Sequence, residues 1–196
     1  MPRKVNADEK RREIVASAAV VFDTDGYHTT NVDTVARVVG LKKPTLYHYF
    51  SGKDEILFWI HEEFIDLLIA RQEAREAEAL SPAESLRGAM TDVLGLMDTH
   101  RGHVRVFFEH HRELAPEHRG TIAAKRDRYA EMVEAEIVRG IRDGDFRPLD
   151  TRLATLALFG MCNWAYQWYR SGGARTSGEV AEFFWDLLIE GLRRRD

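Results

Sequence analysis

Apolar side chains recur along almost the whole chain at intervals of three and four residues, the spacing that gathers them on one face of an α-helix. Between Ala7 and Asp25 the face is Ile14, Ala18, Val21 and Phe22, with Asn6 placed to cap the helix and Gly26 to stop it. Val32, Val35, Ala36 and Val39 predict a short second helix, whose first amides Thr30 or Asn31 can cap. Gly40 follows where a chain leaving a helix often needs positive φ. Pro44 then suits the first turn of a third helix with Leu46, Tyr49 and Phe50 on its inner face. A long helix is expected from about Asp54 to Ala79, with Ile56, Leu57, Ile60, Phe64, Leu67 and Leu68 as its stripe.

Ser81-Pro82-Ala83-Glu84 combines a capping serine, a first-turn proline and a glutamate at the capping-box position, so a helix to about Thr99 follows. Val104, Phe107, Phe108 and His111 share a face between His103 and Leu114, and Pro116 opens a longer helix that stops at Gly144. Asp150 caps the next. From Leu153 to Tyr169 only Thr155, Asn163 and Gln167 are clearly polar, so this helix is apolar on all sides and must be enclosed. Seventeen residues interrupted by two amides make a poor membrane span, and enclosure by its own domain and a second subunit is the better account. Thr176 and Glu179 form another capping-box pair before a seam of Val180, Phe183, Phe184, Leu187, Leu188, Gly191 and Leu192. Strand-like alternation is absent, which predicts an all-α fold of about nine helices.

The formal charge of −4 gains meaning once divided along the chain. Residues 1–53 carry nine Lys+Arg against six Asp+Glu, a net of +3, and the remainder carries 19 against 26, a net of −7. Arg3, Lys4, Lys10, Arg11, Lys42 and Lys43 flank or enter the N-terminal helices, a basic head on an acidic body. One cysteine, Cys162, excludes an internal disulfide framework and fits a reducing compartment. The charged N-terminus has no apolar signal core, so a cytoplasmic protein without membrane attachment is expected.

Two short helices around a glycine turn, the second with cations, hydroxyls and aromatics outward, make a helix-turn-helix. Thr30, Val32, Ala36, Gly40, Lys43, Thr45, Leu46, Tyr47, Tyr49, Phe50 and Lys53 resemble the signature of the TetR family of bacterial transcriptional regulators. Pro44 departs from it, standing where many relatives have glycine. The close match covers about the first fifty-five residues, and the rest matches in architecture. The resemblance implies a DNA-binding domain of three helices over residues 1–52, and a helical ligand-binding and dimerisation domain over 53–196.

On that reading Lys43 meets guanine acceptors and Thr45 a base edge or thymine methyl, with Lys42 adding charge and Tyr47 and His48 reaching phosphates. Thr30 and Lys53, at helix starts, are expected to clamp phosphates. Tyr49 is expected to pack inward. In the body Phe107, Phe108, His111, Tyr129, Asn163, Trp164, Gln167 and Trp168 are the expected effector-binding set, although aromatic stripes at this spacing also make ordinary core. Asn163 is either satisfied within a dimer or offered to a ligand. Phe159, Tyr166, Phe183, Phe184, Leu187, Leu188 and Leu192 are the expected dimer contacts, two helices from each chain.

Residues 160–170, GMCNWAYQWYR, resemble the corresponding helix of TetR-family repressors of fatty-acid degradation, which bind acyl-CoA thioesters, as do related repressors of sterol breakdown. That resemblance implies a small hydrophobic effector, with Arg105, Arg112, Lys125, Arg126 and Arg128 available for a CoA head. No cofactor is expected. His100, His103, His110, His111 and His118 cluster in sequence without a recognisable ligand spacing, so no metal site is assigned, and a metal-binding protein stands as a rival reading. A regulator without a small-molecule ligand, or an activator, is the other. No phosphate loop or nucleophile elbow supports an enzyme. The expected protein is a homodimeric repressor on a near-palindromic double-stranded operator.

Overall fold

Side-chain caps and glycine stops fix several of the element ends. The computed structural model describes residues 7–193, so the Asn6 cap and the cations Arg3 and Lys4 lie outside the described residues. Among these, nine α-helices run α1 Ala7–Asp25, α2 Val32–Val38, α3 Lys43–Leu46, α4 Lys53–Ala77, α5 Pro82–Thr99, α6 Arg101–Glu109, α7 Pro116–Asp143, α8 Thr151–Trp164 and α9 Ser177–Leu192. Short 3₁₀ turns occupy His111–Glu113 and Ala165–Gln167. There is no strand among the described residues, only an isolated bridge between Phe146 and Arg193, and the fold is all-α.

Asn31 caps α2 by accepting from the Thr34 amide at 2.9 Å. Asp150 caps α8 in the same way through the Leu153 amide. Both capping boxes form: Ser81 with Glu84 ahead of α5, and Thr176 with Glu179 ahead of α9. Such caps contribute about 1 kcal/mol each by satisfying amides that the first turn leaves unpaired.

Three ends differ from the periodicity. Helix α3 is regular only to Leu46, and the chain reaches Phe50 through tight turns in which His48 and Tyr49 amides donate to Thr45 and Leu46 carbonyls. Helix α6 breaks at His110, ahead of a Pro116 that disfavours helical backbone at Ala115. Helix α8 ends at Trp164, five residues early, where the Ala165 carbonyl takes the amides of both Trp168 and Tyr169.

The chain forms two compact units. Of the described residues, the first contains 7–64 and 100–122, so it takes in α6 and the start of α4 along with the three N-terminal helices. Its core is Ile14, Ala18 and Phe22 of α1, Val35 and Ala36 of α2, Leu46, Phe50, Ile56, Ile60, Val104 and Phe107. A fully buried side chain of this size contributes about 1.5–3 kcal/mol. Helix α6 lies tight on α1 at Gly102: a Cβ there would stand 2.7 Å from the Ala19 carbonyl carbon. Only glycine permits that approach.

The second unit contains, of the described residues, 65–99 and 123–193. Helix α5 buries Leu86, Ala89, Met90, Val93, Leu94 and Met97, packing on α8 and α9. A polar layer is satisfied inside it. Gln72 donates to the buried Ser85 hydroxyl at 2.9 Å, and Asp92 accepts from Arg71 at 2.9 Å and Arg75 at 2.5 Å. Partly buried charge held this way avoids the cost of an unpaired ion.

Candidate nucleic-acid interface

The helix-turn-helix is built from inside outward. Leu46 and Phe50 are buried with Val35 and Ala36, and Tyr49 is half-buried beside them. Gly40, at φ +67°, makes the turn between α2 and α3 in a conformation that a side chain would strain. With the inner face fixed, Lys42, Lys43 and His48 are exposed, Tyr47 is 47% exposed and Thr45 half-buried. The outer face therefore joins two cations to a phenol, a hydroxyl and an imidazole. Lys43 reaches back across the turn, its Nζ 3.0 Å from Asp33 Oδ1, and hydrogen bonding to that carboxylate holds its ammonium above the ordinary lysine range.

Two expected phosphate clamps are turned inward. Thr30 is only 2% exposed, and its hydroxyl donates to the Gly26 carbonyl at 2.8 Å. The Lys53 ammonium donates to the carbonyls of Tyr27 at 2.8 Å and Thr30 at 3.1 Å, and lies 4.1 Å from the centre of the Tyr27 ring. Both residues hold the turn after α1, because polar groups at helix starts serve an orphan carbonyl as readily as a ligand. Arg11 is committed as well. Its guanidinium lies over Trp59 at 5.1 Å and Phe50 at 5.8 Å, and it donates to the Tyr49 carbonyl. Asp33 escaped the sequence reading: ten positions separate it from Lys43, and only the turn brings them together.

The profile described as "Bacterial regulatory proteins, tetR family" matches residues 14–59. The one described as "Tetracyclin repressor-like, C-terminal domain" matches residues 79–192, more than half of the chain. The chain belongs to the TetR family. It is a DNA-binding transcriptional regulator of the helix-turn-helix kind, not an enzyme. Among solved structures, the TetR-family regulator PfmR from Thermus thermophilus is 35% identical with a TM-score of 0.85, over 92% of this chain and 99% of that one. The ketosteroid transcriptional regulator KstR2 of Mycobacterium tuberculosis is 26% identical with a TM-score of 0.86, over 95% and 96%. AibR, solved in complex with isovaleryl coenzyme A and operator DNA, is 26% identical with a TM-score of 0.82, over 92% and 98%.

The expected effector set of this TetR-family chain is split. Phe107 is buried in the first unit, with its ring 4.4 Å from that of Phe64. Phe108 and His111 are half-buried in the same unit, where His111 Nδ1 lies 3.3 Å from the Phe108 carbonyl. Tyr129 is buried in the second unit beside Phe159, ring centres 5.5 Å apart. Its hydroxyl has no hydrogen-bond partner, and burial pushes it well above the usual phenol range, with Arg75, Asp92, Cys162 and Arg71 as the nearby charged or titratable groups. Asn163 is half-buried.

Trp164, Gln167 and Trp168 stand elsewhere. Helix α8 turns Thr155, Leu158 and Cys162 inward, which leaves Leu153, Leu156 and Trp164 on its outer side. Trp164 is 65% exposed, Trp168 and Gln167 are exposed too, and Phe183, 61% exposed, and Leu187 project from α9. Leu187 and Leu188 line a groove of about 450 Å³ with Leu153, Ala157 and Met161. Of the remaining expected dimer contacts, Tyr166 and Phe184 are half-buried, and Phe184 lies 6.3 Å from the Trp168 ring. Phe159 faces Tyr129 instead, and Leu192 is 3% exposed in its own unit, its carbonyl taking the Arg147 amide. Since α8 is apolar on all sides, its sequence held no cue to which aromatics point outward.

Proposed function

We propose that this chain is a homodimeric repressor that holds a near-palindromic operator and releases it when a small hydrophobic effector, a fatty acyl-CoA or related CoA thioester, binds the body. Residues 1–52 read DNA through Lys42, Lys43, Thr45, Tyr47 and His48, and residues 53–196 bind effector and pair the chains. Such a protein works in the cytoplasm, and no helix among the described residues is long and apolar enough to cross a membrane.

Dimerisation is supported by the exposed apolar side chains Leu153, Leu156 and Trp164 of α8 and Phe183 and Leu187 of α9, of which Leu153 and Leu187 line one groove, since exposed apolar surface of this kind marks an interaction site. A two-fold dimer sets two reading heads about 34 Å apart, one turn of DNA, which is why the operator must be near-palindromic. The effector reading rests on one observation above others: the Tyr129 hydroxyl is fully buried and unpartnered. An unsatisfied buried hydroxyl costs about 1–3 kcal/mol, and a carbonyl or hydroxyl of an effector would recover it. AibR, similar over most of both chains, is the protein solved with a CoA thioester and operator DNA together.

A regulator with no small-molecule ligand is the second reading, favoured by the state of the cations expected for a CoA head. Arg105 pairs with Asp23 at 3.2 Å, Lys125 with Asp66 at 2.8 Å and Arg128 with Glu73 at 2.5 Å. Titration of the operator complex with a series of acyl-CoAs, isovaleryl-CoA included, separates the two. The proposal expects one chain-length class to weaken operator binding by roughly 5- to 150-fold, the span of ordinary allosteric coupling. It expects Tyr129→Phe to need more effector while binding operator normally. No change with any thioester at micromolar concentration would favour the ligand-free reading.

A further inference from the structure

His28, in the turn after α1, lies 85 positions before Glu113, yet its Nε2 stands 3.2 Å from the Glu113 carboxylate oxygen Oε1. His110, at the end of α6, places its Nδ1 3.6 Å from the same oxygen. One ligand atom from each of the three residues lies within 4.8 Å of the others. On a tetrahedral ion with bonds of about 2.0–2.2 Å, neighbouring ligand atoms stand roughly 3.3 Å apart. We infer that His28, His110 and Glu113 form a binding site for a divalent transition-metal ion of the zinc type, one that joins the turn entering the helix-turn-helix to the end of α6.

The local chemistry favours an ion over a plain hydrogen-bonded cluster. His110 Nδ1 and Glu113 Oε2 are shut off from solvent and have no hydrogen-bond partner. A metal would satisfy the ring nitrogen and draw the carboxylate into a full set of contacts, relieving groups that are costly to leave unmade. Two imidazoles and one carboxylate suit zinc, cobalt or nickel, whereas magnesium and calcium prefer oxygen throughout.

The site also has a rigid backing. The Tyr27 ring lies 5.4 Å from both the His28 and the His110 rings. Tyr27 is itself held, its hydroxyl donating to Asp54 at 2.7 Å and its ring covered by the Lys53 ammonium. The Glu113 amide donates to the His110 carbonyl at 3.2 Å, which fixes the spacing of those two ligands. His28 is exposed and gives the ion its way in, leaving the remaining coordination to water. The other histidines of the 100–118 stretch do not contribute. His118 stacks on Phe58 at 4.2 Å and His103 faces Glu63 at 3.6 Å.

The test uses the full chain, with any affinity tag removed, stripped by chelator and titrated with Co²⁺ while its d–d absorption is recorded, then with Zn²⁺ in competition. Saturation at one ion per chain is expected, with a tetrahedral or five-coordinate spectrum displaced by Zn²⁺. His28→Ala, His110→Ala and Glu113→Gln should each weaken binding at least tenfold, and His118→Ala should leave it unchanged. Circular dichroism keeps a loss of fold distinct from a loss of ligand, and His28→Ala, at an exposed position, carries the result if the other two unfold. Absence of stoichiometric binding, or binding that survives His28→Ala together with His110→Ala, would overturn the inference. So would weak uptake reduced equally by His118→Ala.

Discussion

Lys43 and Asp33 form an ion pair across the helix-turn-helix, with Nζ 3.0 Å from Oδ1 and both side chains at the surface. The pair holds the cation that the proposed reading assigns to a base edge, and it sets a carboxylate beside that cation. Replacing Asp33 with Asn removes that negative charge and frees the ammonium. Affinity for duplex DNA should rise about two- to fivefold, as expected for losing an exposed competing pair. Its dependence on salt should steepen by about the contribution of one phosphate contact. Unchanged affinity and slope in Asp33→Asn would place Lys43 away from the DNA.

Gly102 tests the packing behind the head. An alanine methyl would press on the Ala19 backbone, which cannot yield as a flexible side chain can. Gly102→Ala should cost about 1–3 kcal/mol, the usual penalty of overpacking, read as a lower thermal midpoint. Gly120→Ala, with nothing near its Cβ, serves as the control and should not destabilise.

The outer aromatics test dimerisation. Trp164, Phe183 and Leu187 are all more than half exposed, so a charged replacement there carries little folding cost in the single chain. Leu187→Glu and Phe183→Glu should sediment as monomers with unchanged circular dichroism and should lose operator affinity by roughly a hundredfold, since paired heads bind as one unit. A dimer that survives both substitutions would assign those residues to another role.

Cys162 supplies a pH signature. Burial pushes its thiol up to about 12 from an unfolded value near 9, so the fold keeps it neutral. The stability from this burial is fully present below about pH 9 and is lost as pH rises towards 12, because only the unfolded chain ionises early. Denaturant midpoints should therefore fall more steeply between pH 9 and 11 in the native chain than in Cys162→Ala. The native thiol should also resist alkylation at pH 8 and react once unfolded.

The caps show how much of the fold was legible. Asp150, Ser81 with Glu84 and Thr176 with Glu179 each announced a helix start that formed, because a cap is a contact between residues three apart and is written in sequence. The sense of α8 was not legible. Both of its sides are apolar, so only packing decided that Cys162 faces in and Trp164 out. Thr30 and Lys53 misled for a related reason: a hydroxyl and an ammonium at the right positions for phosphate found backbone carbonyls of their own chain. The group of His28, His110 and Glu113 draws on two distant stretches, and no spacing within either one announces it.

Operator binding by variants of the outer face tests the central claim most directly. A duplex selected from a random library by the unaltered protein is titrated, by fluorescence anisotropy, with Lys43→Ala and Tyr47→Ala, while sedimentation follows the dimer. The account predicts a loss of at least tenfold in each, with the dimer intact. Wild-type affinity in both would contradict it and move the DNA contact off this face.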